Sequence, residues 1–313
     1  MIETIKKTID YRMQNKFLGH LHPRYWSTWL GLGLLYLFTK LPYSFQLKLG
    51  KHLGHIAYYG LKRFRHIGKT NLKLCFPHLS HKEQTHLLKK QFQSLGMGIV
   101  ESAMAWWMPD HRLHSLIHVQ GLEHLQTAMA RKKGVLILSG HFTSLDICGR
   151  LFSNIFPMHV VYREQKNQII DRLLKQHRQF KWMQPIHRHA IRQIIKTLKQ
   201  NKAIWYAADQ DYGPRHSLFP PFFNIPAATI STPSRYARRT GASVVTLFYY
   251  RLPNGNGYQI IIGPILENFG CNDYNDTLCF NRLLEDAVRA HPEQYLWIHR
   301  RFKTRPQHEP YPY

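Results

Sequence analysis

Two kinds of hydrophobic patterning divide the chain near residue 118. Before that point apolar residues recur at helical spacing, and residues 81–108 are predicted to form one long helix that runs up to Trp106 and Trp107. After it, short apolar runs such as "GVLILSG" and "AIWYAA" alternate with helical patterns. This alternation predicts an α/β fold, with a mostly parallel central sheet flanked by helices.

An uncharged segment near the N terminus has a different pattern. "YWSTWLGLGLLYLF" lies between Arg24 and Lys40 and is shorter than the about 20 residues that a membrane-spanning helix needs. Flanking cations can extend to the interface, where its tryptophans and tyrosines are also favoured. We expect an N-terminal hydrophobic membrane-anchor helix over about residues 25–41. An in-plane interfacial helix and a buried core helix are the alternatives.

No convincing linker or internal repeat follows residue 45. We therefore divide the chain into a basic N terminus with its anchor, residues 1–45, and one large folded domain, residues 46–313.

The charge balance is the next informative feature. The chain has 43 Lys and Arg against 18 Asp and Glu, a formal net charge of +25, and 13% of its residues are aromatic. Such a surplus indicates an anionic partner, which could be a nucleic acid, an anionic membrane surface or an acidic protein. The 44% hydrophobic content is enough for a substantial core and argues against global disorder.

Cysteine and histidine spacing does not suggest a metal centre or a disulfide framework. Cys75, Cys148, Cys271 and Cys279 are widely spaced, and we expect reduced thiols. The histidine pairs His20/His22 and His187/His189 match no zinc-binding motif, so we expect no metal.

Three predicted strands end in polar clusters. "GVLILSG" is followed by His141, "HVVY" by Arg163, and "AIWYAA" by Asp209. In open α/β sheets ligands bind beyond the carboxyl ends of the strands. The three clusters are therefore expected to converge on one cleft.

His141 and Asp146 are the strongest candidates for chemistry. If the strand stops near Gly140, Asp146 falls in the first turn of the next helix and can fold back to accept the imidazole N–H. The other ring nitrogen can then take a proton from a hydroxyl. A strand-end histidine and a helix-capping aspartate remain the structural alternative. Ser139 and Ser144 lie nearby, but the G-x-S-x-G elbow of serine hydrolases is absent.

Four blocks of sequence carry a family resemblance. "GHFTSLD" resembles the H-x4-D/E motif of the glycerolipid-type acyltransferases. "VVYREQKN", "DQDYGPRHSLFPPFFNIPAATISTPSRYARRTGA" and "PEQYLWIHRRFKTRP" are similar to later blocks of one branch, the late lipid A acyltransferases, which are lauroyl and myristoyl transferases. The resemblance covers roughly residues 119–306, and all four blocks occur in order.

The resemblance implies a reaction. A fatty acyl chain would move from acyl carrier protein to a hydroxyl of a phosphorylated, Kdo-bearing lipid A precursor. His141 would act as general base, oriented by Asp146, and the hydroxyl would attack the thioester directly. Many members carry Glu at the position of Asp146. No cofactor is implied.

The resemblance also implies roles for other residues. Arg163 would bind a phosphate or carboxylate, since a guanidinium does so with two hydrogen bonds; a surface salt bridge is the alternative. Asn167 belongs to the same block, and Arg178 matches an arginine often found after the next helix. These three residues are expected to contact substrate.

Two later blocks complete the predicted site. Asp209 and Asp211 would be structural or would orient Arg163, and Phe222 and Phe223 would wall the acyl channel or pack in the core. The alternative for the C-terminal block is a solvated basic tail. This block supplies five basic or imidazole side chains: His299, Arg300, Arg301, Lys303 and Arg305.

The implied partners explain the charge. Acyl carrier protein is acidic, the lipid carries phosphates and carboxylates, and the inner leaflet is anionic. We expect a monomer bound to the bacterial inner membrane, with its catalytic face toward the cytoplasm and no nucleic-acid partner. Alternatives are an acyltransferase of the same branch acting on another lipid or glycolipid, a basic RNA-binding protein and a structural membrane protein. Acyl length and acylation position are left open.

Overall fold

A computed structural model describes residues 22–178, 183–215 and 217–313, with the side chain of Arg178 left out. The basic residues before position 22, with His20, lie outside these ranges. The helices are α1 (Trp26–Phe38), α2 (Tyr43–Gly60), α3 (Lys62–Cys75), α4 (His81–Trp107), α5 (Leu122–Ala130), α6 (Leu145–Ser153), α7 (Gln168–Arg178), α8 (Ile191–Lys199), α9 (Thr232–Thr240) and α10 (Asp273–Ala290).

The strands build one large sheet and two small hairpin-like pairs. They are β1 (Ile117–Gln120), β2 (Val135–Ser139), β3 (Met158–Tyr162), β4 (Met183–His187), β5 (Ala203–Ala207), β6 (Ser217–Leu218), β7 (Pro221–Phe222), β8 (Ile225–Pro226), β9 (Thr229–Ile230), β10 (Ser243–Arg251) and β11 (Tyr258–Ile262). The seven-stranded sheet has the order β1-β11-β10-β2-β5-β3-β4, and only the β10/β11 pair is antiparallel. The predicted α/β fold with a mostly parallel central sheet is confirmed.

The middle of the sheet is buried on both faces. Every residue of β2 and of β10 is buried, as expected for strands covered by helices on both sides. This explains why the β2 sequence "VLILS" is nearly all apolar and does not alternate between apolar and polar residues.

The long predicted helix is present as α4, and its start is set by local sequence. Ser80 accepts a hydrogen bond from the Glu83 backbone N–H, while the Glu83 carboxylate accepts one from the Ser80 N–H. This reciprocal capping box satisfies two backbone donors that a helix end leaves unpaired.

Glycines let α2 and α4 cross at close range. A Cβ placed on Gly54 would lie 2.0 Å from the Phe92 carbonyl oxygen, and one on Gly96 would lie 2.1 Å from the Gly50 carbonyl oxygen. Only a residue without a side chain fits at these two positions, so the separation of the helices depends on them.

A buried ion pair ties α4 to the sheet. Arg251, at the end of β10, donates to both carboxylate oxygens of Glu101, and Glu101 is completely buried. Tyr258 donates a further hydrogen bond of 2.8 Å to the same carboxylate, so both buried charges have hydrogen-bond partners.

The uncharged N-terminal segment forms α1, a helix of 13 residues about 20 Å long at 1.5 Å per residue. Within the described ranges, no helix combines the length and the apolar character needed to cross a bilayer, so the expected spanning anchor is not confirmed. Leu32 is buried against α4 and α7, whereas Trp26 and Leu30 are about two-thirds exposed. The division at residue 45 remains a prediction.

Candidate active site

A cavity of about 860 Å³ opens at the carboxyl ends of β2, β3 and β5. His141, Asp146 and Arg163 all contribute to its lining. The predicted convergence of strand ends is therefore present for these residues, and the cleft lies where open parallel sheets bind ligands.

The loop between β2 and α6 places His141 two residues after the strand ends. A Cβ on Gly140 would lie 2.5 Å from Leu284 Cδ1, so any side chain there would have to displace that methyl group. Gly140 also offers its carbonyl to the Tyr249 hydroxyl at 2.8 Å. These contacts fix the direction in which the backbone leaves the strand, and with it the position of the imidazole.

Asp209 holds His141 at two points. Its Oδ1 lies 2.5 Å from the imidazole Nδ1, and its Oδ2 accepts a 2.8 Å hydrogen bond from the His141 backbone N–H. The His141 side chain is 21% exposed and that of Asp209 only 2%. A buried carboxylate on Nδ1 keeps the proton there and leaves Nε2 as the ring nitrogen that can accept one.

The electrostatics of this pair favour an ionised Asp209. Burial alone would raise the pKa of the carboxyl group, but the charge of His141 and its two hydrogen bonds outweigh burial and lower the pKa to about 2. Asp209 therefore carries a negative charge at neutral pH and can stabilise an imidazolium.

The sequence analysis did not foresee Asp209 as a partner of the imidazole, yet it is the carboxylate on Nδ1. Asp146 lies in the first turn of α6 as expected and lines the same cavity, where its Oδ2 accepts a 2.9 Å hydrogen bond from Ser102 of α4. Its catalytic role stays a prediction.

A C-terminal segment frames the histidine loop. The His141 carbonyl accepts from the Leu296 N–H at 3.0 Å, and the Thr143 N–H donates to the Gln294 carbonyl at 2.8 Å. An isolated antiparallel bridge joins Phe142 and Tyr295 between them. The loop is thus paired like a short strand with residues far along the chain.

Asp211 fastens the next part of this C-terminal segment. It accepts hydrogen bonds from the backbone N–H and the hydroxyl of Thr304, at 2.6 and 2.8 Å. Its own N–H donates to His299 Nε2 at 3.1 Å. Burial lowers the pKa of His299 to about 4, so the ring is neutral and can accept. These contacts give Asp211 a structural role; contact with Arg163 or with substrate stays a prediction.

The C-terminal basic block is folded onto the domain. Arg301 is 1% exposed and donates to the Ala228 carbonyl at 2.7 Å and the Thr229 hydroxyl at 2.8 Å. Arg305 donates to the Pro226 carbonyl at 2.6 Å. A solvated basic tail is therefore the wrong interpretation of this block.

Cations surround the mouth of the cavity. Arg163 is exposed there, and further basic residues line the same opening: Lys166, Arg188 and Arg215. The guanidinium of Arg188 lies 5.6 Å from the centre of the Tyr212 ring. The sequence analysis did not single out Arg188 or Arg215; "GPRHS" directly after the "DQD" block was the available signal for Arg215.

Asn167 and Arg178 lie at the two ends of α7. The Asn167 carboxamide oxygen accepts from the Ile169 and Ile170 N–H groups, and its nitrogen donates to the Thr28 hydroxyl at 3.0 Å. Asn167 thus caps α7 and ties it to α1, and it is absent from the described lining of the cavity. The side chain of Arg178 lies outside the described residues. Substrate contact by either residue stays a prediction.

Phe222 and Phe223 pack away from this cavity. Both are buried, and their rings contact Phe76, Tyr295 and Trp297 at centroid distances of 5.0 to 6.2 Å. They belong to the aromatic core behind the C-terminal segment, which is the packing alternative considered for them. In the described part of the chain, they do not line the cavity.

The described residues contain no group of three or more His, Cys, Asp or Glu side chains that could hold a metal ion. Cys75, Cys148, Cys271 and Cys279 are free thiols. The arrangement at the cavity is instead a histidine–carboxylate pair with a basic rim, which suits proton transfer next to an anionic substrate.

Comparisons with known proteins identify the family. Residues 14–304 match the family described as bacterial lipid A biosynthesis acyltransferase. The chain is 40% identical to the lipid A biosynthesis lauroyltransferase of Escherichia coli strain K12, over 93% of this chain and 95% of that protein. It is 39% identical to the palmitoleoyltransferase of the same strain, over 91% and 94%, and 28% identical to the myristoyltransferase, over 93% and 91%.

Proposed function

This chain belongs to the bacterial lipid A biosynthesis acyltransferase family, and we propose that it moves a fatty acyl chain from acyl carrier protein to a hydroxyl of a Kdo-bearing lipid A precursor. The observation that carries the proposal is the His141–Asp209 pair at the mouth of a large cavity. A base held by a buried carboxylate is what activation of an unreactive hydroxyl requires.

The first step is removal of a proton from the acceptor hydroxyl. Asp209 keeps the His141 proton on Nδ1, so the Nε2 lone pair accepts the hydroxyl proton. The imidazolium that forms lies against an ionised carboxylate, which lowers the free energy of the charged state. Asp146, which lines the same cavity, adds a second negative charge that favours the imidazolium.

The second step is acyl transfer. The acceptor oxygen attacks the thioester carbonyl, a new C–O bond forms, and the C–S bond breaks as the carrier protein leaves as a thiolate that takes up the proton from His141. Because a thiolate is a good leaving group, positioning and a base meet most of the demand, and no covalent acyl-enzyme is needed.

The basic rim suits both substrates. Arg163, Lys166, Arg188 and Arg215 lie where phosphate or carboxylate groups of the acceptor would meet the protein, and guanidinium groups bind such anions with paired hydrogen bonds. The net charge of +25 would also attract an acidic carrier protein and speed its encounter with the enzyme.

The outer face of α1 and α2 suits an anionic membrane surface. Large apolar side chains project from it, with Trp26, Leu30 and Ile56 about two-thirds exposed, and the exposed Lys40 and Lys48 lie between Leu30 and Ile56 in the sequence. An apolar face bordered by cations favours attachment to the inner membrane with the cavity toward the cytoplasm.

An acyl-transfer assay tests the proposal. Detergent-solubilised enzyme would receive radiolabelled Kdo-lipid A precursor together with acyl carrier proteins loaded with different chains. We expect transfer by the wild type and almost none by His141→Ala. The exposed His86 on α4 provides a matched control, since His86→Ala should retain full activity.

Two results would contradict the proposal at different levels. Transfer by His141→Ala at the wild-type rate would refute the mechanism. A wild type that acylates a different lipid, and not this precursor, would refute the acceptor while leaving the family assignment intact.

A further inference from the structure

The cavity has a polar mouth, and apolar residues such as Val160, Met183 and Trp205 are also part of its lining. It follows β3 and β4 from Tyr162 and Arg163, at the carboxyl end of β3, to Met183, the first residue of β4. Met183 is four residues before His187, which pairs with Tyr162 in the sheet. The distance along the strands from Tyr162 to the level of Met183 is therefore roughly 13 Å, at about 3.3 Å per residue. This part of the cavity is thus a slot that runs along the strands, from the reacting groups at their carboxyl ends toward their amino ends.

Three residues from different elements meet in this slot: Gly149 of α6, Met183 of β4 and Trp205 of β5. A Cβ on Gly149 would lie 3.0 Å from Trp205 Cζ3 and 3.5 Å from Met183 Cε. The helix and the two strands are therefore already in close contact there, and any side chain at position 149 would take up space that the cavity now uses.

Gly149 is an unfavourable residue for its place in the structure. It lies inside a helix of nine residues, where glycine is a poor helix former compared with alanine. A glycine inside a helix usually has a packing or functional reason. Here the contact with Trp205 and the adjoining cavity supply that reason.

Trp205 is held firmly, so it cannot easily yield. It is 3% exposed, lies in a strand paired on both sides, and its ring meets that of Tyr249 edge to face at 5.6 Å. Met183, by contrast, is an unbranched side chain that can adapt its shape. The slot is therefore bounded by a rigid side chain, Trp205, and by an adaptable one, Met183.

We propose that Gly149, Met183 and Trp205 determine the length of the acyl chain that the enzyme transfers. This inference rests on the proposed function, with the donor's acyl chain lying in the cavity. Overall similarity does not decide the chain length, because the chain is almost equally identical to a relative named lauroyltransferase and to one named palmitoleoyltransferase. Local differences in the depth of the slot can decide it.

Filling the slot should favour shorter donors. In competition among acyl carrier proteins loaded with a series of even-numbered saturated chains, we expect Gly149→Ala and, more strongly, Gly149→Val to shift the preferred donor toward shorter chains. The ratio of rates for the native donor and the next shorter one should change by roughly tenfold, the order found for one methylene in a tight apolar pocket. Gly60→Ala is the matched control, because no atom lies within 4 Å of a Cβ there.

Opening the slot should have the opposite effect. Met183→Ala should raise the relative rate with longer donors, while Met129→Ala, on α5 and outside the cavity lining, should leave the donor profile unchanged. Because Met183→Ala removes atoms and adds none, it still tests whether the slot sets the acyl chain length if the Gly149 variants fail to fold. Thermal unfolding of each variant identifies such a failure.

The outcomes separate this inference from the proposed function. If the wild type transfers acyl chains and both Gly149→Ala and Met183→Ala keep its donor profile, the chain length is set elsewhere and the inference is refuted. If the wild type transfers no chain from any carrier protein, the proposed function fails, and the assignment of the slot fails with it.

Discussion

His141 and Asp209 occupy matching positions just beyond the carboxyl ends of two neighbouring parallel strands, β2 and β5. The last register pair of β2 and β5 is Ser139 with Ala207, and each functional residue follows two positions later. The register of the sheet therefore brings the two loop residues side by side, where imidazole and carboxylate meet.

Replacing Asp209 should remove most of the activity. Asp209→Asn keeps the size of the side chain but removes the charge that holds the Nδ1 proton and stabilises the imidazolium. By analogy with other histidine–carboxylate pairs, we expect kcat to fall by roughly 10²- to 10⁴-fold. The measurement is acyl transfer at saturating acceptor, together with its dependence on pH. Asp286→Asn, at an exposed position on α10, is the control. Full activity of Asp209→Asn would mean that Asp146 alone orients the base.

The Asp209 carboxylate should make the free energy of unfolding depend on pH in the acidic range. The pKa of Asp209 is about 2 in the folded protein, against 3.8 for an ordinary aspartate. A lowered pKa stabilises the folded state above about pH 4, and this stabilisation disappears as the pH falls through about 2. The shift corresponds to about 2 kcal/mol. We expect the difference in unfolding free energy between wild type and Asp209→Asn, measured with denaturant, to shrink by that amount between about pH 6 and pH 2. A constant difference would argue against the ion pair.

Arg163 should act on acceptor binding more than on chemistry. We expect Arg163→Gln to raise the KM for the lipid acceptor by roughly ten- to a hundredfold, the equivalent of one charge-assisted hydrogen-bonded contact. The effect on kcat should be small, and Arg163→Lys should restore only part of the affinity because lysine cannot bind with two parallel hydrogen bonds. Arg239→Gln, on the exposed side of α9, controls for lost charge. An unchanged KM would leave Arg163 as a surface cation.

The crossing of α2 and α4 should tolerate no side chain at its glycines. Gly54→Ala and Gly96→Ala each place a Cβ at 2.0 to 2.1 Å from a backbone oxygen of the facing helix, so the helices must separate. Each change should lower the free energy of unfolding by about 1–3 kcal/mol or more. Gly60→Ala, at an open position, should be neutral or slightly stabilising. Thermal unfolding in detergent measures all three, and wild-type stability of the first two would show that the crossing can relax.

The sequence was enough to predict the fold class and the place of the site. Uniformly apolar strands such as the one ending at Ser139 indicate a sheet covered on both faces, and polar residues after such strands indicate its carboxyl edge. His141 and Arg163 were found in this way, and Asp146 was placed correctly at the start of a helix. These are local properties, and each is visible within a few residues.

The partner of His141 could not be found from local pattern. Its identification requires knowing that β2 and β5 are neighbours, although β3 and β4 lie between them in the sequence. The proximity of Asp146 in sequence made it the more obvious candidate. The role of Asn167 as the cap of α7 was not predicted for a related reason, since a helix cap and a ligand contact use the same carboxamide.

The bridge between Phe142 and Tyr295 has a consequence for how the enzyme comes into being. During synthesis the ribosome releases the histidine and the aspartate long before residues 294–304, which brace the histidine loop and secure its surroundings. A growing or prematurely ended chain therefore holds the reactive groups without the scaffold that aims them. Such fragments lack the hydrogen bonds that hold the histidine loop, so a chain that ends before residue 294 should not keep the imidazole in its place.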